Sequence, residues 1–261
     1  MLKSCLIAEF RFYQELNDFL PAERRQRSFE YSFRGTPAIK DTIEALGVPH
    51  TEVDLVLING VSVGFGEKLR DGDHVSVYPM FESFDIGPVT HLRPQPLREP
   101  KFIGDVHLGR LARRLRLLGF DVEYRNPVED AALVETALAE QRTILTQDRG
   151  LLKRRKVTHG YLVRSPDLRE QMREVVQRFD LLRRIKPFSR CARCNGMIRS
   201  VAKADIQDRL PPKTRELHDE FFQCDTCRRV YWKGSHVTRL EAEIHNLVLL
   251  GTGTPQQAPP T

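Results

Sequence analysis

KFIGDVHLGRLARRLRLLGFDVEY, residues 101–124, changes its apolar rhythm twice in a short span. KFIGD is a short apolar run ending on Asp105, the pattern of a buried strand. HLGRLARRLRLLG then sets Leu108, Leu111, Ala112, Leu115 and Leu118 at i, i+3, i+4 and i+7 spacings, which predicts an amphipathic helix closed by Gly119. FDVEY returns to strand character. Strand, helix, strand in this order predicts a parallel sheet, and the downstream sequence continues the alternation. EDAALVETALAEQ reads as a helix, TILTQD as a strand ending near Asp148, GYLVRS as a strand and PDLREQMREVVQRF as a helix. The expected fold class is therefore α/β over residues 101–187.

In open parallel sheets ligands bind beyond the carboxyl ends of the strands, and Asp105 and Asp148 both lie just past such ends. Asp130 opens the second helix of the region. Three carboxylates converging on one point repel one another unless a cation lies between them, and hard oxygen ligands favour Mg2+ or Mn2+. The same residues also suit plain helix capping, since Asp after a strand and before a helix is a preferred N-cap. Both readings stand on sequence grounds.

The surrounding charge bears on the choice. Residues 1–90 carry 9 basic and 14 acidic side chains, while residues 91–261 carry 32 and 21, so the net charge of +6 belongs to the second part of the chain. Such an excess suits a polyanion, because each neutralised phosphate releases condensed counterions. Arg110, Arg113, Arg114 and Arg116 fall on the polar face of the first helix, and Arg149, Lys153, Arg154, Arg155 and Lys156 follow Asp148. A uniformly positive face is what a groove tracking phosphates would present.

CARC and CDTC place Cys191 with Cys194 and Cys224 with Cys227. Within each pair the spacing lets both thiolates face one ion, and four thiolates complete a closed tetrahedral zinc site. A structural Zn2+ and a zinc ribbon over residues 188–240 are expected. Pro211, Pro212 and the charged KTRELHDE between the pairs predict a loop or short helix. Phe221, Phe222, Tyr231 and Trp232 could stack on unpaired bases or pack beside the metal, and His236 and His245 have no ligand partner left. Cys5 reads as a strand core residue.

The N-terminal 86 residues read differently. LIAEFRF and SFEYSF are strand-like, PAIKDTIEALG is a helix with Pro37 in its first turn and Gly47 at its end, and VDLVLING-VSVGF carries Asn59-Gly60 between two β-rich runs. HVSVYPM supplies a last strand after Asp71-Gly72-Asp73. The order ββαβββ is that of a β-grasp. PVTHLRPQPLREP predicts an extended linker over residues 87–100, and residues 241–261 form a C-terminal segment whose end, GTGTPQQAPPT, predicts a disordered tail. No run reaches the roughly 18 apolar residues of a membrane span. With paired CxxC motifs suited to a reducing compartment, a cytoplasmic location is expected.

LINGVSV followed by LRDGDHVSVYPM resembles the ubiquitin-like sulfur-carrier proteins. The chain runs on past Pro79 with no Gly-Gly end, so a recognition or docking module for a protein partner, or a fused cap, is expected instead of carrier chemistry. GDVHLGRLARRLRLLGFDVEY, VEDAALVETALAEQRTILTQDRGLL, GYLVRS, CARCNG and VYWKGSH together resemble the PIN-like ribonuclease domain named after the C-terminal region of the Mut-seven exonuclease, over about residues 100–240. That resemblance implies a three-layer α/β/α PIN-like fold and metal-dependent hydrolysis of RNA. By position it implies catalytic Asp105, Asp130 and Asp148 holding Mg2+ or Mn2+, with Asp167 as a fourth acid and Glu129 as an alternative to Asp130. Arg110, Arg113, Arg114, Arg149, Lys153 and Arg154 are then the candidate RNA contacts. The alternative function is a non-catalytic RNA- or ribosome-binding adaptor using the ribbon and the basic helix.

Overall fold

The computed structural model describes residues 5–79, 92, 100–234, 240, 242, 244 and 245. The linker apart from Leu92 and Pro100, the C-terminal tail and His236 lie outside the described residues. The chain forms two compact units, one from Met1–His107 with Pro127–Leu162, the other from Leu108–Asn126 with Val163–Thr261.

The first unit begins with strands β1 (Leu6–Phe12) and β2 (Phe29–Phe33), helix α1 (Ile39–Ala45) and strands β3 (Val53–Ile58), β4 (Val61–Ser62) and β5 (His74–Pro79). They form a five-stranded sheet in the order β2-β1-β5-β3-β4, with β1 and β5 parallel at its centre and the other pairs antiparallel. This is the expected β-grasp. The alternation in β1 buries Ala8, Phe10 and Phe12 on the face that α1 covers with Ile39 and Ile43. Asn59 and Gly60, at φ +52° and +82°, make the tight turn between β3 and β4, a conformation that Asn-Gly reaches at little cost. The Asn59 side chain also donates to Asp73 Oδ1 and accepts from the His74 amide, tying the turn to the start of β5. Cys5 departs from expectation: it lies just ahead of β1 and is exposed, because the strand begins one residue later.

The same unit continues with β6 (Lys101–Gly104), α3 (Asp130–Ala139), β8 (Thr143–Thr146), α4 (Arg149–Leu152) and β9 (Gly160–Leu162), where the numbers α2 and β7 belong to the second unit. β6, β8 and β9 are parallel neighbours, with Ile103 beside Ile144 and Thr146 beside Leu162. Every side chain of β8 is buried, as a central parallel strand requires. The short α4 falls where the sequence read only as a basic run. Its Leu151 and Leu152 are buried while Arg149 and Gly150 are exposed.

One continuous apolar core runs from Phe10, Ile43 and Val56 to Ile103, Val134, Ile144 and Leu162. Buried polar side chains join the two parts of this unit. His50 lies 2.7 Å from the Val157 carbonyl through Nε2 and 2.6 Å from Glu44 through Nδ1, and the fully buried Glu52 accepts from the Leu162 amide at 2.6 Å. The spatial unit thus crosses the division expected along the sequence at residues 87–100.

The second unit holds α2 (Gly109–Leu117), β7 (Asp121–Glu123), α5 (Leu168–Arg178) and an antiparallel sheet of β10 (Ile198–Val201), β11 (Phe221–Cys224) and β12 (Val230–Trp232) in that order. Helix α2 packs on α5 and β7. Its leucine stripe is buried, and Gly119 ends it at φ +99°. The expected short helix between the cysteine pairs is α6 (Pro212–Leu217), with Pro212 in its first turn. No helix among the described residues is long and apolar enough to cross a membrane.

Candidate functional sites: the strand-end carboxylates and the cysteine cluster

Asp105 follows β6 and is only 5 % exposed, so its carboxylate depends on the protein for hydrogen bonds. Oδ1 accepts from the His107 amide at 2.9 Å. Oδ2 accepts from the Gln147 amide at 3.1 Å and from the Thr146 hydroxyl. Thr146, fully buried at the end of β8, in turn accepts from the Asp148 amide at 2.9 Å. The two aspartates therefore stand at the carboxyl ends of neighbouring parallel strands with one threonine hydroxyl between them. The imidazole of His107, largely exposed, lies 3.6 Å from Asp105 Oδ1. The family resemblance includes the T-x-D element of Thr146 to Asp148, but neither the bridging role of Thr146 nor His107 was read from the sequence; D-x-H spacing was the available signal for the latter.

Asp148 is exposed and caps α4, accepting from Gly150 N at 2.7 Å. Asp130 occupies the first position of α3, with Glu129 at the N-cap, and its carboxylate pairs with Arg154 at 2.7 Å. In the second unit Asp167 caps α5 by accepting from the amides of Arg169 and Glu170. The capping role that the sequence left open for Asp105, Asp130 and Asp148 thus holds for Asp148, whereas Asp130 makes a salt bridge instead; Asp167, expected only as a fourth acid, caps α5. Among the described residues no three carboxylate or histidine ligand atoms lie within 4.8 Å of one another. Asp105, Asp130 and Asp148 accordingly do not close a three-carboxylate cage. Two carboxylates nonetheless suit Mg2+, which is held by one or two protein carboxylates and keeps several waters.

Of the expected RNA contacts beside Asp148, three already have partners within the first unit. The Arg149 guanidinium lies 5.3 Å from the centre of the Phe19 ring, Lys153 donates to the Glu44 carbonyl, and Arg154 holds Asp130. In α2, Arg110 and Arg113 are exposed and Arg114 is half-buried. Arg116 is a correction: it is 3 % exposed and does not belong to the polar face. Its Nε donates to the Val122 carbonyl and its Nη1 to the carbonyls of Ala192 and Arg193. Burial pulls its pKa down, and the nearby Glu123, Cys191, Cys194 and Asp121 oppose that fall.

The four cysteines form the one metal-compatible group among the described residues, their sulfurs all within 4.8 Å of one another. Cys191 and Cys227 are 3.6 Å apart and Cys194 and Cys224 3.4 Å. Tetrahedral zinc with bonds of about 2.3 Å needs sulfur separations of about 3.8 Å, so the quartet fits the ion. Each pair sits on a turn that ends with a left-handed residue just after its second cysteine, Asn195 at φ +67° and Arg228 at +60°. Cys191 is the most readily ionised thiol. Burial pushes it up, but hydrogen bonds from the Tyr231 hydroxyl, from the Cys194 and Arg193 amides and from Cys227 bring it to about 7. Burial raises the other three thiols.

The cysteine turn is also tied to β7. Asn195 donates to Asp121 at 2.8 Å and accepts from the Val122 amide, and Arg190 pairs with Asp121 at 3.1 Å. Arg116 supplies the third link. Glu174 on α5, also unanticipated, accepts the Arg164 and Ser165 amides, and burial raises its carboxyl pKa.

Comparison with known proteins accords with this layout. Residues 5–85 match the Mut7-C ubiquitin family and residues 100–244 the Mut7-C RNAse domain. Two crystal structures of a Haloferax volcanii small archaeal modifier protein, SAMP1, are similar to the N-terminal part. They are 20% and 19% identical, cover 29% and 30% of this chain and 99% of their own, and give TM-scores of 0.24. No curated protein matches the chain. The family match spans more than half of the chain, and on it the protein belongs to the Mut7-C RNAse domain family, with a Mut7-C ubiquitin-like domain ahead of it.

Proposed function

We propose that the protein is a metal-dependent ribonuclease whose reacting centre lies at the carboxyl ends of β6 and β8. What supports this reading is the pairing of Asp105 and Asp148 through Thr146, within a chain of an RNAse domain family. Asp105 is the immobile partner, held by three hydrogen-bond donors. Asp148, exposed, is the carboxylate that meets solvent and substrate. Together they would hold Mg2+ or Mn2+. When bound, such an ion polarises a phosphodiester and lowers the pKa of a coordinated water. The exposed His107 ring lies 3.6 Å from Asp105, at the mouth of this pair. Asp130 can contribute once the exposed Arg154 turns to an RNA phosphate, since surface ion pairs hold by only about 0–1 kcal/mol.

The test is cleavage of end-labelled single-stranded RNA in Mn2+ by the full chain and by Asp148→Asn. Loss of at least a hundredfold in rate, with an unchanged melting profile, is the expected result. Cleavage at the parent rate by Asp148→Asn would remove the assignment.

A second reading draws on the capping roles of Asp148 and Asp167 and on the Asp130–Arg154 pair. In it the carboxylates serve the fold and the protein binds RNA without turnover, as an adaptor. RNA binding with no product at any Mn2+ concentration selects this reading.

A further inference from the structure

The second unit contains a cleft of about 930 Å3 that neither the carboxylates nor the cysteine cluster accounts for. Its walls come from α2, from Tyr124 just after β7, from Phe188 and the turn of the first cysteine pair, and from β12 with the residues beside it. Five of its thirteen lining residues are arginines and none is Asp or Glu, so the cleft is built for an anion. Arg116 is held by backbone carbonyls, and Arg113 donates through Nε to the Gly109 carbonyl. Arg113, Arg114, Arg193 and Arg229 come from three separate segments and all line this one volume. Between them stand Tyr124, Phe188 and Trp232, all half-buried. Gly109 makes room for the first of these, because a Cβ there would overlap the Tyr124 ring and hydroxyl. Trp232 packs in part on the ribbon cluster of Ile206, Leu210 and Phe221 and also lines the cleft. Tyr231 is fixed by its hydrogen bond to Cys191, so metal-site order carries directly into the cleft wall.

Aromatic faces interleaved with guanidinium groups suit a ligand that is both flat and phosphorylated. We propose that this cleft is a subsite for an unpaired nucleotide of single-stranded RNA, its base among Tyr124, Phe188 and Trp232 and its flanking phosphates on Arg113, Arg114, Arg193 and Arg229. A duplex is excluded as the occupant, since its bases are stacked inside and offer no free face. The volume falls within the usual range of roughly 300–1,000 Å3 for sites that enclose a small ligand. The inference rests on the reading that this chain handles RNA, but not on its cutting RNA.

Trp232 is the sole tryptophan of the chain, so its fluorescence reports this cleft alone. The experiment titrates the zinc-loaded full chain with a ten-residue oligouridylate, without added Mg2+ or Mn2+, following tryptophan emission and the anisotropy of labelled RNA. Saturable quenching is expected in step with the anisotropy, and its absence with the same RNA in a duplex. Trp232→Ala should weaken binding about tenfold, as loss of one base stacked on an aromatic ring predicts, and Trp232→Phe should largely restore it. Arg193→Gln with Arg229→Gln should lower the slope of log affinity against log salt by about 1.4. Zinc content near one per chain verifies that each variant is folded. Anisotropy that rises without quenching, or an unchanged salt slope in the double variant, overturns the subsite while leaving RNA handling intact. No binding by either signal overturns both. Asp148→Asn should quench like the parent, which separates this subsite from the cleavage assignment.

Discussion

Thr146 carries more of the carboxylate site than its size suggests. Its hydroxyl donates to buried Asp105 and accepts from the Asp148 amide, so one side chain sets the spacing of both acids. Thr146→Val keeps the shape and removes both bonds, leaving a buried carboxylate oxygen and an amide short of a partner. A stability loss of about 1–3 kcal/mol is expected, measurable by urea unfolding. In the ribonuclease reading, turnover falls with it while RNA affinity does not. A midpoint within error of the parent would show that water replaces the hydroxyl. The acids themselves were readable from their place after strands, because chain direction and sheet type dictate which end of a strand faces a ligand. The bridging role of Thr146 was not, since a threonine in a β-rich run is also what any buried strand uses. Arg116 misled for the converse reason: helical periodicity assigned it to solvent, whereas the Val122 carbonyl of β7 and two carbonyls of the later cysteine turn hold it buried.

At the scale of elements, most strands and helices were legible because period and punctuation agree. The leucine stripe of α2, the Asn59-Gly60 turn and the glycine after α2 each state one local conformation. What escaped were short pieces, α4 and the strands β10, β11 and β12, whose existence depends on a cap or on partner strands. Gly119 allows a sharp test. It holds φ +99°, and a Cβ would run into the Lys186 carbonyl and the Ser189 hydroxyl. Gly119→Ala should cost about 2–4 kcal/mol, combining backbone strain with displacement of the loop leading to Cys191. Thermal unfolding measures the first effect and zinc affinity the second. A zinc ion held by the four cysteines would make the ribbon equally dependent on it, because the energy of zinc binding is folding energy. Removing zinc with a chelator should abolish amide protection across β10–β12 and leave β1–β5 protected. Retained protection in β11 would show that the ribbon folds without metal.

For the molecule as a whole, the informative feature is how the ubiquitin-like sheet joins the β6–β8–β9 sheet. A linker rich in proline separates two stretches of the sequence, but composition along a chain says nothing about surfaces that meet across it. Within the first unit the apolar core is continuous, and the contact has buried polar groups at its centre. Glu52 is fully buried and accepts from the Leu162 amide, a bond that closes the free side of β9. Glu52→Ala strips a partner from a buried amide, at about 1–3 kcal/mol. Because that amide and the β-grasp core belong to one packed body, the cost should fall on both parts together. Hydrogen exchange is the measurement: amides of β1 and β5 and amides of β8 and β9 should lose protection by the same free energy. Glu52→Gln, which keeps an acceptor oxygen, should restore most of it. Loss confined to β8 and β9 would instead make the ubiquitin-like domain a separate folding unit, free to be engaged by a partner without loosening the strands that carry Asp105 and Asp148.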